Sequence, residues 1–262
     1  MNSAKRILSL FVALLVILSS LVSCDVLTGK PEDVISKADE ALNSAPYKAE
    51  TEVTFTSDDE DMKAAIEALG DMKITVTENG ENASVVTDMT VGGVDVNVSN
   101  VIVSKMLYHK KTVDAEGAGS FTLKKASLGD NRAELITNAA PGAQLTVLDF
   151  DTVEMKSSGN VRLITCTSLK AESSLSVREI LSERLGISVD SVSLGDVELV
   201  IRVVDGKYEG TYLSCRYEIS MGNADYELRL QAVTSYSYEN IDEVKAPSNF
   251  SEYELCDYDE IL

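Results

Sequence analysis

The stretch Val197–Ser220, VELVIRVVDGKYEGTYLSCRYEIS, decides the fold class. Val197, Leu199, Ile201 and Val203 fall on one side of an extended chain, and Leu213, Cys215, Tyr217 and Ile219 on one side of the next. A period of two is the signature of a strand with one covered face. Asp205-Gly206 lies between the runs, a pair that tolerates the positive φ of a tight hairpin turn. The reading is a β-hairpin, and it extends in both directions.

Toward the C-terminus, ADYELRLQAVTSYSYEN sets Tyr226, Leu228, Leu230 and Ala232 against Glu227, Arg229 and Gln231. Toward the N-terminus, SLSVREILSERLG (Ser174–Gly186) changes to helical spacing, with Val177, Ile180, Leu181 and Leu185 as its stripe. Before it, QLTVLDFDTVEM and VRLITCTSL read as strands. Further back, YKAETEVTF alternates cleanly. MKITVTENGENASVVTDMTV holds two strands about Asn79-Gly80, and VDVNVSNVIV places Val94, Val96 and Val98 on one face before KMLYHKKTV. PEDVISKADEALNS (Pro31–Ser44) and DEDMKAAIEALG (Asp59–Gly70) are short amphipathic helices. Ala115–Gly142, with its glycines and Pro141, reads as loops with a helix over Asn131–Asn138. The expectation is an α+β, mainly β fold: one antiparallel sheet of about ten strands with two or three helices. No strand–helix–strand alternation and no repeat of solenoid length is present.

The N-terminus has a different character. MNSAKR is basic, ILSLFVALLVILSSLV is apolar, and the run closes at Ser23-Cys24. This is the layout of an export signal, and it is short for a bilayer-spanning helix. Leu21-Val22-Ser23-Cys24 resembles the lipobox of bacterial lipoproteins. That resemblance implies removal of residues 1–23, a diacylglyceryl group on the Cys24 sulfur, a tether over 24–30 and a single domain over 31–262. Thioether formation needs the thiolate, and two acyl chains give stable anchoring. The alternatives are an ordinary signal peptide with an incidental cysteine, or a membrane-spanning anchor. The expected location is the extracytoplasmic face of the cell membrane, held through Cys24.

The net charge is −20, and −22 if Lys5 and Arg6 leave with the signal. Phosphate neutralisation needs a basic patch, so nucleic acid is not an expected partner. No metal site and no cofactor are expected. The acidic runs Ser57–Met62 and Asp257–Glu260 lack the alternation and central glycine of a calcium loop. His109 is the sole histidine, and no nucleophile motif accompanies it, so catalysis is not expected. Cys166, Cys215 and Cys256 are read as unpaired, buried thiols in a protein expected to be a monomer.

Lipobox, tether, an amphipathic helix ending at a Pro-Tyr step and a long meander follow in order. The chain closes on Tyr238, Ile241, Val244 and Pro247. This layout resembles the lipoprotein-localisation-factor superfamily: the LolA/LolB-like carriers and the related LppX/LprG-like lipoproteins. The resemblance implies a curved antiparallel half-barrel with helices covering its concave face and an acyl-chain cavity between. The lining would come from Val94, Val96, Val98, Leu199, Ile201, Val203, Leu213, Tyr226, Leu228 and Leu230, with Ile180, Leu181 and Leu185 on the lid helix. The competing reading is that these residues fill an ordinary core, as any one-faced sheet requires. The implied function is a non-catalytic envelope lipoprotein holding a lipid or other apolar ligand. The rival is a structural or sensor module with a filled core.

Overall fold

The computed structural model describes residues 29–115, 118–129, 135–136, 145–185, 188–221 and 224–261. Residues 1–23, Cys24 and most of the helix expected over Asn131–Asn138 lie outside them. The fold is α+β and mainly β. Its order is α1 (Pro31–Ser44), β1 (Tyr47–Thr56), α2 (Glu60–Leu69), β2 (Met72–Asn79), β3 (Asn82–Val91), β4 (Val94–Val103), β5 (Met106–Ala115) and β6 (Ala118–Ser127). Then follow β7 (Phe150–Ser158), β8 (Val161–Leu169), α3 (Ala171–Leu185), β9 (Val192–Val204), β10 (Lys207–Met221), β11 (Ala224–Ser237) and β12 (Glu254–Leu255).

Turn chemistry builds the strand order. Gly92-Gly93, Ser104-Lys105 and Asp205-Gly206 have positive φ at both positions, the type I′ pattern. Gly80-Glu81 and Gly159-Asn160 have it at the first position alone, the type II′ pattern. Both match the right-handed twist of paired strands, so consecutive strands become neighbours. Two meanders result, β1 to β6 and β7 to β11. They meet where β1 pairs antiparallel with β11, giving one open twelve-stranded sheet in the order β12-β6-β5-β4-β3-β2-β1-β11-β10-β9-β8-β7.

Two strands exceed the sequence expectation. β6, AGSFTLKKAS, puts Ser120, Thr122 and Lys124 on the core-bearing side, opposite Val113, Lys111 and His109 of β5, while its Phe121 on the other side is 69% exposed. Its alternating apolar residues, Phe121 and Leu123, lie on the side away from the core, so its alternation does not point to a covered face. β12 has two residues and pairs parallel with β6, the one parallel pairing among the described strands. The segment Leu145–Asp149, expected as strand, is instead loop and a turn of 3₁₀ helix before Phe150. Asp149 accepts from the Thr146 amide (2.7 Å) and from Ser173 Oγ (2.8 Å), fixing that turn to the start of α3. Burial alone would raise its pKa, but these bonds hold it below the ordinary carboxylate value.

One face of the sheet carries the core. In-register pairing runs Val85–Val76–Ala49 and Val53–Ala232–Leu213–Leu199–Cys166 across neighbouring strands on the same side. α1 lays Ile35 and Ala38 on this face, and Tyr208 donates to Asp39 (2.6 Å) beside it. α3 adds Val177, and its Arg178 donates to the carbonyls of Val192 (2.5 Å) and Val189 (2.9 Å). α2 is capped by Asp59, whose Oδ1 accepts from the Met62 amide (3.1 Å). Ser57 donates to the Glu227 carbonyl, tying this corner to β11. The C-terminal strap covers the β6 edge. The Cys256 amide donates to the Lys125 carbonyl (3.0 Å), and Lys124 Nζ to the Glu260 carbonyl (2.7 Å). A covered edge removes a template for unwanted pairing.

Candidate functional site

Every strand residue expected to line a cavity lies on the core-bearing face, but the group divides. Leu199, Ile201, Val203, Leu213 and Leu230 are all buried and belong to one cluster with Ile164, Cys166 and Cys215. Leu228 is half-buried against that cluster. Val94, Val96 and Val98 on β4, and Tyr226 on β11, are half-buried and are not members of it. From Val98 on β4 to Ile201 on β9 the register passes through Thr87, Ile74, Thr51, Thr234 and Thr211. At about 4.8 Å per strand step, Val98 stands roughly 29 Å from Ile201 along the sheet surface, whereas Tyr226 on β11 pairs directly with the buried Ile219. The side chains of Ile180, Leu181 and Leu185 lie outside those described.

The face also contains residues that sequence reading did not select. Ala49, Val53, Ile74, Val76, Val85, Ile102 and Leu107 are buried on it. Alternation within each strand marked them, but nothing local said which strands would adjoin. Leu135 and Val147, from the β6–β7 connection, join the same core.

Polar groups punctuate the face. At the seam between the meanders, the hydroxyls of Thr51 and Thr234 hydrogen-bond at 2.8 Å, with Thr51 only 3% exposed. On β5, His109 Nδ1 donates to Asn100 Oδ1 (2.8 Å) in the assigned amide orientation. Desolvation, then the charges of Lys111 and Lys124, lower the His109 pKa. His109 and the two lysines share the face, with Lys124 directly opposite His109 and Lys111 two residues along its strand. Among the described residues, no nucleophile or carboxylate hydrogen-bonds this half-buried imidazole.

The two buried thiols are chemically quiet. Cys166, Cys215 and Cys256 are free; the first two are buried, and burial pushes both up to about 11. Cys256 differs from expectation in being only half-buried. Among the described residues no helix is long and apolar enough to cross a membrane, and no group of three or more His, Cys, Asp or Glu is placed to hold a metal ion.

Comparison with known proteins adds little to this geometry. No family model matches the chain. No curated protein matches it either. A solved structure, Rv2717c from M. tuberculosis, aligns over 77% of this chain and 97% of its own at 7% identity, with a TM-score of 0.24. A likeness of that degree carries no argument about fold or function.

Proposed function

We propose that this protein is a non-catalytic cell-envelope lipoprotein, anchored through a diacylglyceryl group on Cys24, that holds a lipid or other apolar ligand on the helix-bearing side of its sheet. In this reading the open sheet is a half-barrel with that side as its hollow. The observation that carries it is the division of the apolar face. Part is closed by α1 and α3, while Val94, Val96 and Val98 on β4 are apolar, aimed the same way and only half-buried. A ligand would complete what the helices leave incomplete. The lipobox-like Leu21–Cys24 supplies the anchor, and a tether of a few residues would keep the domain at the bilayer.

Purified protein is extracted with organic solvent and the extract read by mass spectrometry. The expected result is stoichiometric lipid. Val98→Asp should abolish it while shifting stability by no more than about 1 kcal/mol, as surface-like positions do. Leu199→Asp buries a charge in the packed cluster and should cost more than about 4 kcal/mol. An empty extract from folded protein, together with unchanged behaviour of Val98→Asp, overturns the ligand reading. The anchor is read separately: labelled palmitate should enter the protein and be lost with Cys24→Ala.

A second reading has its own support. Leu199, Ile201, Leu213 and Leu230 are each 5–6% exposed and pack with one another. Those positions are filled core, which suits a structural or sensor module.

A further inference from the structure

The opposite face of the sheet carries a pocket that the apolar face does not explain. It has a volume of about 520 Å³ and lies where β9, β10 and β11 meet the end of β8. Such a volume suits a small molecule. Arg216 and Arg229 are direct cross-strand partners, and both line it. Their Cβ atoms are therefore about 5 Å apart, and like charges so placed are destabilising unless something lies between them. Neither forms an ion pair with a described residue, and the Arg216 Nε is buried with no hydrogen-bond partner.

The backbone makes room for this. The β9–β10 register slips between Cys215 and Tyr217, leaving Gly195 and Asp196 as a bulge opposite Arg216. A Cβ on Gly195 would sit 2.6 Å from Arg216 Nε. The glycine lets the guanidinium lie across β9 toward β8. There Ser168 holds a left-handed φ of 61°, a conformation that costs energy in a non-glycine residue. The hydroxyls of Thr167, Ser168, Ser174 and Ser214 also line the pocket, and none hydrogen-bonds a described residue.

Asp196 and Glu198 line the same pocket, yet they do not pair with the arginines. Opposite charges held apart across one cavity match a dipolar ligand. A chain of net charge −20 repels a free anion at long range, whereas a zwitterion is not repelled. We propose that this pocket binds a small zwitterion, its phosphate or carboxylate seated between Arg216 and Arg229 and its ammonium facing Asp196 and Glu198. This is independent of any ligand on the apolar face.

The full chain is titrated with phosphoethanolamine and, separately, inorganic phosphate at low salt, following backbone amide shifts by NMR. Saturable shifts at Gly195 and Ser168 are expected with phosphoethanolamine. Arg216→Gln and Arg229→Gln should each weaken it about tenfold, the loss of a charge-assisted bond. Glu198→Gln should weaken phosphoethanolamine and leave inorganic phosphate unchanged or tighter. Arg229 is exposed, so its variant decides the matter if Arg216→Gln loses amide dispersion. No saturable shift up to about 10 mM overturns the proposal, that concentration lying beyond any useful affinity. Indifference to Arg229→Gln, or inorganic phosphate binding as tightly as phosphoethanolamine, overturns it equally.

Discussion

At the scale of single residues, polar groups inside the apolar face are the most sensitive points. Thr51 and Thr234 satisfy each other across the seam. Thr51→Val alone leaves the Thr234 hydroxyl without its partner and should cost about 1–3 kcal/mol, whereas the double change to valine should be close to neutral. Urea midpoints at constant slope measure both. His109 gives a pH signature. Its pKa is depressed below the ordinary 6.5, first by desolvation and then by Lys111 and Lys124. The unfolded chain therefore binds more protons than the folded one below about pH 6.5, and stability falls as pH drops through that region. His109→Gln should flatten that limb; an unchanged profile would show that His109 is not its source.

At the scale of elements, α1 is held to the sheet by Ile35 and Ala38 on its buried side and by the Tyr208–Asp39 bond on its rim. Tyr208 stacks at 5.4 Å from Tyr236, and burial, aided by Asp39, raises its phenol pKa. Asp39 is exposed, so Tyr208→Phe should cost only about 0.5–1.5 kcal/mol. Hydrogen exchange should accelerate in the amides of α1 and less in β9 and β10. Uniform acceleration would mean that α1 is not a separately opening unit. Elements were unevenly legible. α1, β1 and the β9–β10 hairpin announce themselves through period and turn residues. β6 does not, because its core-side positions are Ser120, Thr122 and Lys124.

At the scale of the whole molecule, the sheet is two local meanders joined by one non-local pairing, with β12 added at the β6 edge. Lys48 on β1 meets Ser237 on β11, and Val53 meets Ala232. Loop closure over that separation is the costly step, while the two-residue hairpins close cheaply. Val53 is 1% exposed, so Val53→Ala should destabilise by about 2 kcal/mol, mostly by speeding unfolding, with a φ-value below about 0.3. The chain has no tryptophan and 10 tyrosines, so stopped-flow tyrosine fluorescence is the natural probe. A φ-value near one would place the seam in the nucleus instead. The sequence by itself determined the strand and helix segments, the hairpins and which side of each strand is apolar. These are local matters of period, turn dihedrals and side-chain direction. The proposed anchor rests on the lipobox-like Leu21–Cys24, which lies outside the described residues. Only the tertiary structure decided that β1 joins β11, which separated Leu199 and Ile201 in the packed cluster from Val96 and Val98 on another part of the same face. Arg216 meets Arg229 through the local β10–β11 hairpin, but only the folded sheet showed the β9 bulge at Gly195 that lets its guanidinium lie across the strand. Alternation says only that a side chain points off the sheet; what it meets there depends on strands far away in the chain.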